Sequence, residues 1–485
     1  MKKFAVKPRV TQSRRLLVGA NESNESVFIG RLAETGPLVR VDFDISHPHV
    51  VAIFGKRGSG KSFTLGSFLE GLCTRNARTS ISETERGSAS LLFDTLGIFQ
   101  WMGVSINADS PQKLIRDQAL LQKGWDVKSE ELEIEVWSPR GTFSAVSKHK
   151  EFTINCSDFN ASDWGYLFGV DILQDRMGQL LNDSYEKVVH EGWSEGGIKH
   201  APQPRYAIED LMECVLKDTE LVGAYHSETR RAVLQQLSVY WRNPLFQPKR
   251  RVPAAMKWLL ESGEARENEF GAVQCAEGTE LQALLKAGRL SVLLLHKLSD
   301  ELRFVLIVSV MRKIMEARIE ASEIEKSLRI VSSITQEQRE SIQRDIEKRI
   351  PPTWVIADEA QNFLPSERKT AATDILTRFV REGRNFGLSF MLTTQQPVAI
   401  DQRILAQVDT LVVHKLTVQS DIEYIKRNLK SGLAEEVKYG NSNLTFDDLL
   451  RSLDTGQAVV SNTELDRAFI MDVRPRVSVH GGFGA

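Results

Sequence analysis

The octapeptide from Gly55 to Ser62, Gly-Lys-Arg-Gly-Ser-Gly-Lys-Ser, constrains this chain more than any other stretch. The spacing Gly-x-x-x-x-Gly-Lys-Ser lets successive backbone N–H groups converge on a phosphate, because glycine accepts backbone conformations that side chains resist. Such a loop needs a buried strand before it and a helix after it. Val50 to Phe54 is a continuous apolar run suited to a strand covered on both faces, and Lys61 to Leu72 carries Leu65, Phe68, Leu69 and Leu72 at helical spacing. The reading is a phosphate-binding loop in which Gly55, Arg57, Gly58, Ser59, Gly60, Lys61, Ser62 and Phe63 hold ATP. Lys61 neutralises β/γ oxygens and the Ser62 hydroxyl ligates Mg2+. A Gly- and Ser-rich turn that matches by chance is the bland alternative.

The complement of such a loop is an apolar strand ending in an acid, and Trp354-Val355-Ile356-Ala357-Asp358-Glu359 supplies one about 300 residues downstream. Asp358 is the expected partner of the Mg2+ shell, and Glu359 the group that orients and polarises an attacking water. Adjacent acids at a strand end are otherwise often only solvated, so this reading leans on the loop upstream. A water-activating glutamate separates a hydrolase from a P-loop kinase or a simple switch. Thr393-Thr394-Gln395-Gln396-Pro397 closes a further strand, where Gln395 is the candidate γ-phosphate sensor and a plain strand-end turn the alternative. Just before that strand, Arg381-Glu382-Gly383-Arg384-Asn385-Phe386-Gly387 puts two arginines near a turn. Arg384 or Arg381 can stabilise transition-state charge on a neighbouring subunit's nucleotide, which would make the active unit a ring. A surface ion pair with Glu382 or Asp374 is the competing role.

The rest of the chain is organised around these motifs. Strand patterns recur at Ser90 to Asp94, Leu290 to Leu295, Thr353 to Ala357, Leu388 to Thr393 and Thr410 to His414, with helical stretches at Asp300 to Ala321 and Ala371 to Arg381. The alternation predicts an α/β fold, a RecA-like P-loop core with a doubly wound, mostly parallel sheet. Residues 1–46 read as a small N-terminal β module, 47–154 and 261–460 as the two parts of the core, 155–260 as a helical insertion, 322–350 as a charged helical hairpin or mobile arm, and 461–485 as a hairpin and strap. In the insertion, Trp164, Tyr166, Leu180, Tyr185, Leu211, Leu216, Leu234, Leu237 and Trp241 have the spacing of core positions.

Composition excludes little but narrows the partners. Lys plus Arg number 62 and Asp plus Glu 64, so any basic binding surface must be local. Arg230-Arg231 and Lys249-Arg250-Arg251 are such clusters, each readable as phosphate contacts or as a solvated helix face. The four cysteines, Cys73, Cys156, Cys214 and Cys275, have no Cys-x-x-Cys or metal-ligand spacing and read as reduced thiols of a cytosolic protein. No segment reaches the ~18 apolar residues of a membrane span, so a soluble, cytoplasmic chain is expected, with no membrane partner.

Six motifs in order resemble the HerA branch of the HerA/FtsK ATPases: the loop at Gly55 to Ser62, Asp94-Thr-Leu-Gly97, Leu298-Ser-Asp-Glu-Leu-Arg303, Asp358-Glu-Ala-Gln-Asn362, the Arg381 to Gly387 turn with Thr393 to Pro397, and the closing Arg474-Pro-Arg-Val-Ser-Val-His-Gly-Gly482. The resemblance runs from about residue 27 to the end. It implies a hexameric, ATP-driven translocase that threads double-stranded DNA through a central channel and works with an effector such as a nuclease or NAD-consuming enzyme. For bacterial relatives with short N-terminal modules it further implies a role in anti-phage defence. The chain departs from the family pattern in an N-terminal stretch too short for a β-barrel, in Ile98 where many relatives have an acid, and in Gln396 where an Arg is frequent. A ring scaffold that assembles and switches an effector with little DNA transport is the second expectation. A membrane-tethered pump of the FtsK or coupling-protein type is the third, although its membrane helices and winged-helix module are not visible in the sequence.

Overall fold

The computed structural model describes residues 14–33, 38–104, 106, 109, 112–142, 149–246, 278–330, 335–362, 371–430, 436–439, 442–465 and 468–482. The Lys249 to Arg251 cluster and Cys275 lie outside them. The chain divides into two compact units, one formed by residues 1–136, 284–296 and 314–485, the other by residues 137–283 and 297–313.

The first unit is built on one sheet. Its strands are β1 (Arg15–Val18), β2 (Ser26–Leu32), β3 (Arg40–Asp44), β4 (Val50–Phe54), β5 (Ala89–Asp94), β6 (Leu290–Leu294), β7 (Thr353–Ala357), β8 (Leu388–Thr394), β9 (Thr410–Val413), β10 (Gln457–Asn462) and β11 (Phe469–Val473). They lie in the order β1-β3-β2-β11-β10-β9-β4-β8-β7-β5-β6. From β9 to β6 every pairing is parallel. These strands are buried along their whole length, as continuous apolar runs demand when helices cover both faces. The antiparallel β10–β11 hairpin and β2–β3 pair extend the same sheet beyond β9. The N-terminal strands therefore form no separate layer: β2 pairs with β11 and contributes Val27 and Ile29 to the main core.

The helix after the loop, α1 (Lys61–Leu72), was expected to bury one face, but ten of its twelve residues are buried. The second face is covered by the closing segment after β11. Glu70, fully buried on α1, accepts from Arg474 Nη1 at 2.8 Å, from Arg476 Nε at 2.5 Å, and from the Ser478 N–H and hydroxyl at 2.9 and 2.6 Å. Arg474 also donates to the carbonyls of Phe28 and Ser67, each at 2.6 Å. Gly66 makes this approach possible, because a Cβ there would sit 1.8 Å from the Arg476 guanidinium. Burial works to raise the Glu70 pKa, but Arg476 and Arg474 outweigh it and hold the carboxyl below its ordinary range.

Helix α2 (Asp300–Ile330) continues past the expected end at Ala321, and α3 (Gln336–Glu347) follows with a capping box from Thr335 and Gln338. Residues 322–330 and 336–347 of the charged stretch are thus helical, and α3 buries none of its residues. Arg318 anchors α2: fully buried, it donates to both Glu325 oxygens at 2.8 and 3.0 Å and to the carbonyls of Ile350 and Phe386, each at 2.9 Å.

The second unit is mainly helical, with helices Ala161–Phe168, Arg176–Glu186, Ile208–Lys217 and Ser227–Trp241. Trp164, Leu180, Leu211, Leu237 and Trp241 are buried as their spacing implies. Tyr166 and Leu216 are not: both are exposed, Tyr166 with its ring stacked on Phe304, and Leu234 and Tyr185 are half-buried. Helical periodicity marks a stripe but not its edges, and these positions fall at its margin. Arg231 is exposed and Arg230 half-buried on the last of these helices. Cys73, Cys156 and Cys214 are buried free thiols, and no described helix is long and apolar enough to cross a membrane.

Removing the Glu70 carboxylate leaves two buried guanidinium groups unpaired, a class of change that costs about 3–5 kcal/mol. Glu70→Ala is expected to lower the urea midpoint at neutral pH accordingly. Because the Glu70 pKa is depressed on folding, its contribution is present above the ordinary carboxyl range and fades as pH falls through the folded value, so the deficit of the variant should shrink in acid. An equal deficit at all pH values would refute this account of the charge.

Candidate active site

The loop from Gly55 to Gly60 connects β4 to α1 at the C-terminal edge of the parallel strands, with Gly60 capping the helix at φ 111°. Gly55 is fixed by space, since a Cβ there would lie 2.5 Å from Ser59 Oγ and 2.7 Å from His414 Cβ. Ser59 Oγ donates to the Lys56 carbonyl at 2.8 Å, which closes the loop on itself. Arg57 and Gly58 are exposed at its crest, and Ser62 and Phe63 are half-buried on the first turn of α1. Lys61 is buried and its Nζ reaches the Lys56 carbonyl at 3.4 Å. Burial lowers the Lys61 pKa, against the pull of the Glu359 and Asp358 carboxylates that face it.

Those two acids follow β7 at the same edge of the sheet. Asp358 is fully buried: Oδ1 accepts from the Thr393 hydroxyl at 2.6 Å, and Oδ2 has no hydrogen-bond partner. Burial, reinforced by the nearby Asp94 and Glu359 charges, pushes its pKa up to about 7. The Thr393 hydroxyl that donates to Asp358 also accepts the Glu359 N–H, at 3.1 Å. Glu359 sits at φ 51°, a conformation that non-glycine residues adopt rarely and mostly where surrounding structure enforces it. Its carboxylate is clamped on both oxygens, by Gln395 Nε2 at 2.6 Å and by Gln361 Nε2 at 2.8 Å. The site therefore brings together Lys61, Asp358, Glu359 and Gln395 as the motifs imply.

It does not bring in the arginines. Arg381 is exposed and donates to Glu382 at 2.6 Å, the surface pair named as its alternative. Arg384 donates to the Gln407 carbonyl at 2.6 Å and lies 3.2 Å from Asp409 Oδ2. Both precede β8, whereas Gln395 follows it, and a seven-residue strand separates its ends by roughly 20 Å. Neither arginine serves its own chain's loop.

Four contributors escape a motif reading. His414, at the end of β9, packs under the loop and accepts the Thr64 hydroxyl hydrogen bond at Nε2, 2.9 Å away, while Nδ1 meets the Gln457 carbonyl at 2.7 Å. Burial lowers its pKa to about 4, and the nearby Lys61 charge acts in the same direction, so it is neutral. Thr393 and Gln361 lie inside quoted motifs, but their roles depend on which strand neighbours which. Asp94 is fully buried and caps the following loop, accepting from Gly97 N at 2.7 Å and Phe99 N at 2.9 Å. Only the recurrence of polar residues at strand ends hinted at these four roles.

The chemistry of the site fits a magnesium nucleotide. The partnerless buried Asp358 Oδ2 is an oxygen acceptor that a hydrated divalent cation would satisfy, and Ser62 on the first turn of α1 offers a hydroxyl as a second oxygen donor. Among the described residues no group of three or more His, Cys, Asp or Glu could hold a metal ion.

The sequence profile of the family "Helicase HerA, central domain" matches residues 27–315. The DNA double-strand break repair helicase HerA of Pyrococcus furiosus is 28% identical over 161 residues, 32% of this chain and 29% of the relative. A probable helicase of Methanocaldococcus jannaschii is 32% identical over 112 residues, 22% of this chain and 19% of the relative. The matched part thus spans less than a third of these curated relatives. Among solved structures, VirB4 of Thermoanaerobacter pseudethanolicus superposes with a TM-score of 0.47 at 13% identity, covering 94% of this chain and 97% of that one.

Gly55→Ala places a methyl against Ser59 Oγ and His414, and overpacking of this kind costs about 1–3 kcal/mol. The variant should melt several degrees lower and bind nucleotide more weakly. An unchanged melting temperature would show that the loop relaxes freely.

Proposed function

The chain belongs to the HerA helicase family through its central domain, and on that premise we propose that it is a Mg2+-dependent ATPase whose active sites are completed between subunits of a hexameric ring acting on double-stranded DNA with an effector protein such as a nuclease. One observation carries the hydrolytic part: a glutamate, Glu359, held on both oxygens by two amides opposite a buried P-loop lysine.

The residues divide the work as follows. The loop N–H groups and Lys61 take the β- and γ-phosphates, and the low exposure of Lys61 strengthens its hold on them. Bound magnesium would supply charge neutralisation at the phosphate oxygens, held through Ser62 and Asp358. Glu359 accepts a proton from water as that water attacks the γ-phosphorus. Gln395 spans the two events, because its amide holds Glu359 at 2.6 Å and stands where a γ-phosphate would be read. In the ring reading, Arg381 or Arg384, held at the edge away from its own chain's loop, meets transition-state charge on a neighbour's nucleotide.

Glu359→Gln is expected to keep nucleotide affinity while turnover falls about 100-fold or more, the usual range for loss of a general base. Lys61→Ala should weaken nucleotide binding itself. The measurements are steady-state ATPase with and without double-stranded DNA and fluorescent-nucleotide titration. Undiminished hydrolysis in Glu359→Gln would remove the proposed base, and indifference of the wild type to DNA would remove the translocase reading.

A further inference from the structure

Asp409 immediately precedes β9 at the sheet edge opposite the phosphate loop, and it gathers groups from two other segments. Its Oδ2 accepts the Val50 N–H at 2.8 Å, lies 3.6 Å from His49 Nδ1, and lies 3.2 Å from Arg384 Nη2. Its Oδ1 accepts from the Thr410 hydroxyl at 2.7 Å. On the far side of His49, Asp44 Oδ2 takes Nε2 at 2.8 Å, so the buried imidazole is gripped between two carboxylates. Burial opposes charge on His49, but Asp409 and Asp44 prevail and raise its pKa. Asp409, buried as it is, is held below the ordinary carboxylate range chiefly by His49. The cluster thus keeps Asp409 ionised.

Arg384 presents a different picture. Its side chain is 39% exposed, and its contacts to Asp409 and to the Gln407 carbonyl both use Nη2. Its turn is pinned from behind by buried Arg318, whose Nε donates to the Phe386 carbonyl at 2.9 Å. A half-exposed ion pair of this type adds little stability, at most about 1 kcal/mol. What it does supply is direction: one corner of the fork is tied down while the rest faces outward.

We propose that Asp409 is a positioning residue for Arg384, fixing the guanidinium at the subunit edge in the orientation that meets a neighbouring protomer's nucleotide. The His49–Asp44 pair behind it keeps the carboxylate charged and immobile, so that a P-loop strand, β4, and a trans-acting arginine are referenced to the same atom. This inference rests on the ring reading above.

Mixing of subunits tests it. Glu359→Gln has a dead site but an intact arginine, while Arg384→Ala and Asp409→Asn have intact sites but a missing or misdirected arginine. Each single variant should lose ATPase activity at least tenfold. Mixed with Glu359→Gln in equal amounts, both arginine-side variants should recover about a quarter of the wild-type rate, the fraction of head-to-tail interfaces that pair a sound site with a sound arginine. A purely structural defect at Asp409 damages its own subunit's β4 and loop, and mixing cannot repair it. Recovery with Arg384→Ala but not with Asp409→Asn overturns the positioning role. No recovery with either overturns the trans arginine itself, and the positioning role with it. Should Asp409→Asn not fold, Asp409→Ser keeps an acceptor for Val50 N–H without the charge, and the same mixture is read with it.

Discussion

Insertion of β8 between β4 and β7 is the interaction on which the site depends. Its register pairs Thr394 with Phe54 on one side and Leu392 with Ala357 on the other, so the phosphate loop, the acid pair and Gln395 emerge at one edge although they lie some 300 residues apart in sequence. Parallel strands allow this because every strand ends at the same edge, and each return must cross the sheet through a helix. The antiparallel strands beyond β9 carry none of the charged groups of the site, only the Gln457 carbonyl that meets His414 Nδ1. They close the sheet and deliver the closing segment to α1.

The two long edges of the parallel strands divide the charges. At the C-terminal edge, Asp358, Asp94 and Glu359 crowd together with Lys61 the cation that faces them, and burial, reinforced by the Asp94 and Glu359 charges, raises Asp358 to about 7. Such a group resists ionisation until positive charge arrives, which makes the edge receptive to a cation-bearing ligand. At the N-terminal edge, Asp44 and Asp409 face His49 and Arg384, and both carboxyls are lowered. One edge is left in want of charge and the other is satisfied.

The fold was legible in the sequence where residues repeat with a period. Val50 to Phe54, Leu290 to Leu294, Thr353 to Ala357 and Leu388 to Thr394 read as buried strands because apolar runs of that length have few other uses. The loop, Asp358, Glu359 and Gln395 were legible because phosphate chemistry fixes their types and spacing. His414, Gln361 and the second duty of Thr393 were not, since each acts through a neighbour set by strand order rather than by sequence distance. The N-terminal strands looked like a module of their own for the same reason: nothing near them in the chain announces that β11 is their partner. The exposure of Tyr166 and Leu216 marks the limit of periodicity, which locates a stripe without its width.

Glu70 and its two arginines bear on how the chain is made. The carboxylate and Arg474 are 404 residues apart, so a ribosome delivers the phosphate loop and α1 long before the cations that neutralise Glu70. Until then α1 carries an acid on a face that must finally be dry. Burying that face without Arg474 and Arg476 would leave the carboxylate uncompensated, so the complete packing of α1 requires the closing segment. The helix that follows the phosphate loop is thereby tied to residues some 400 positions downstream through one buried carboxylate.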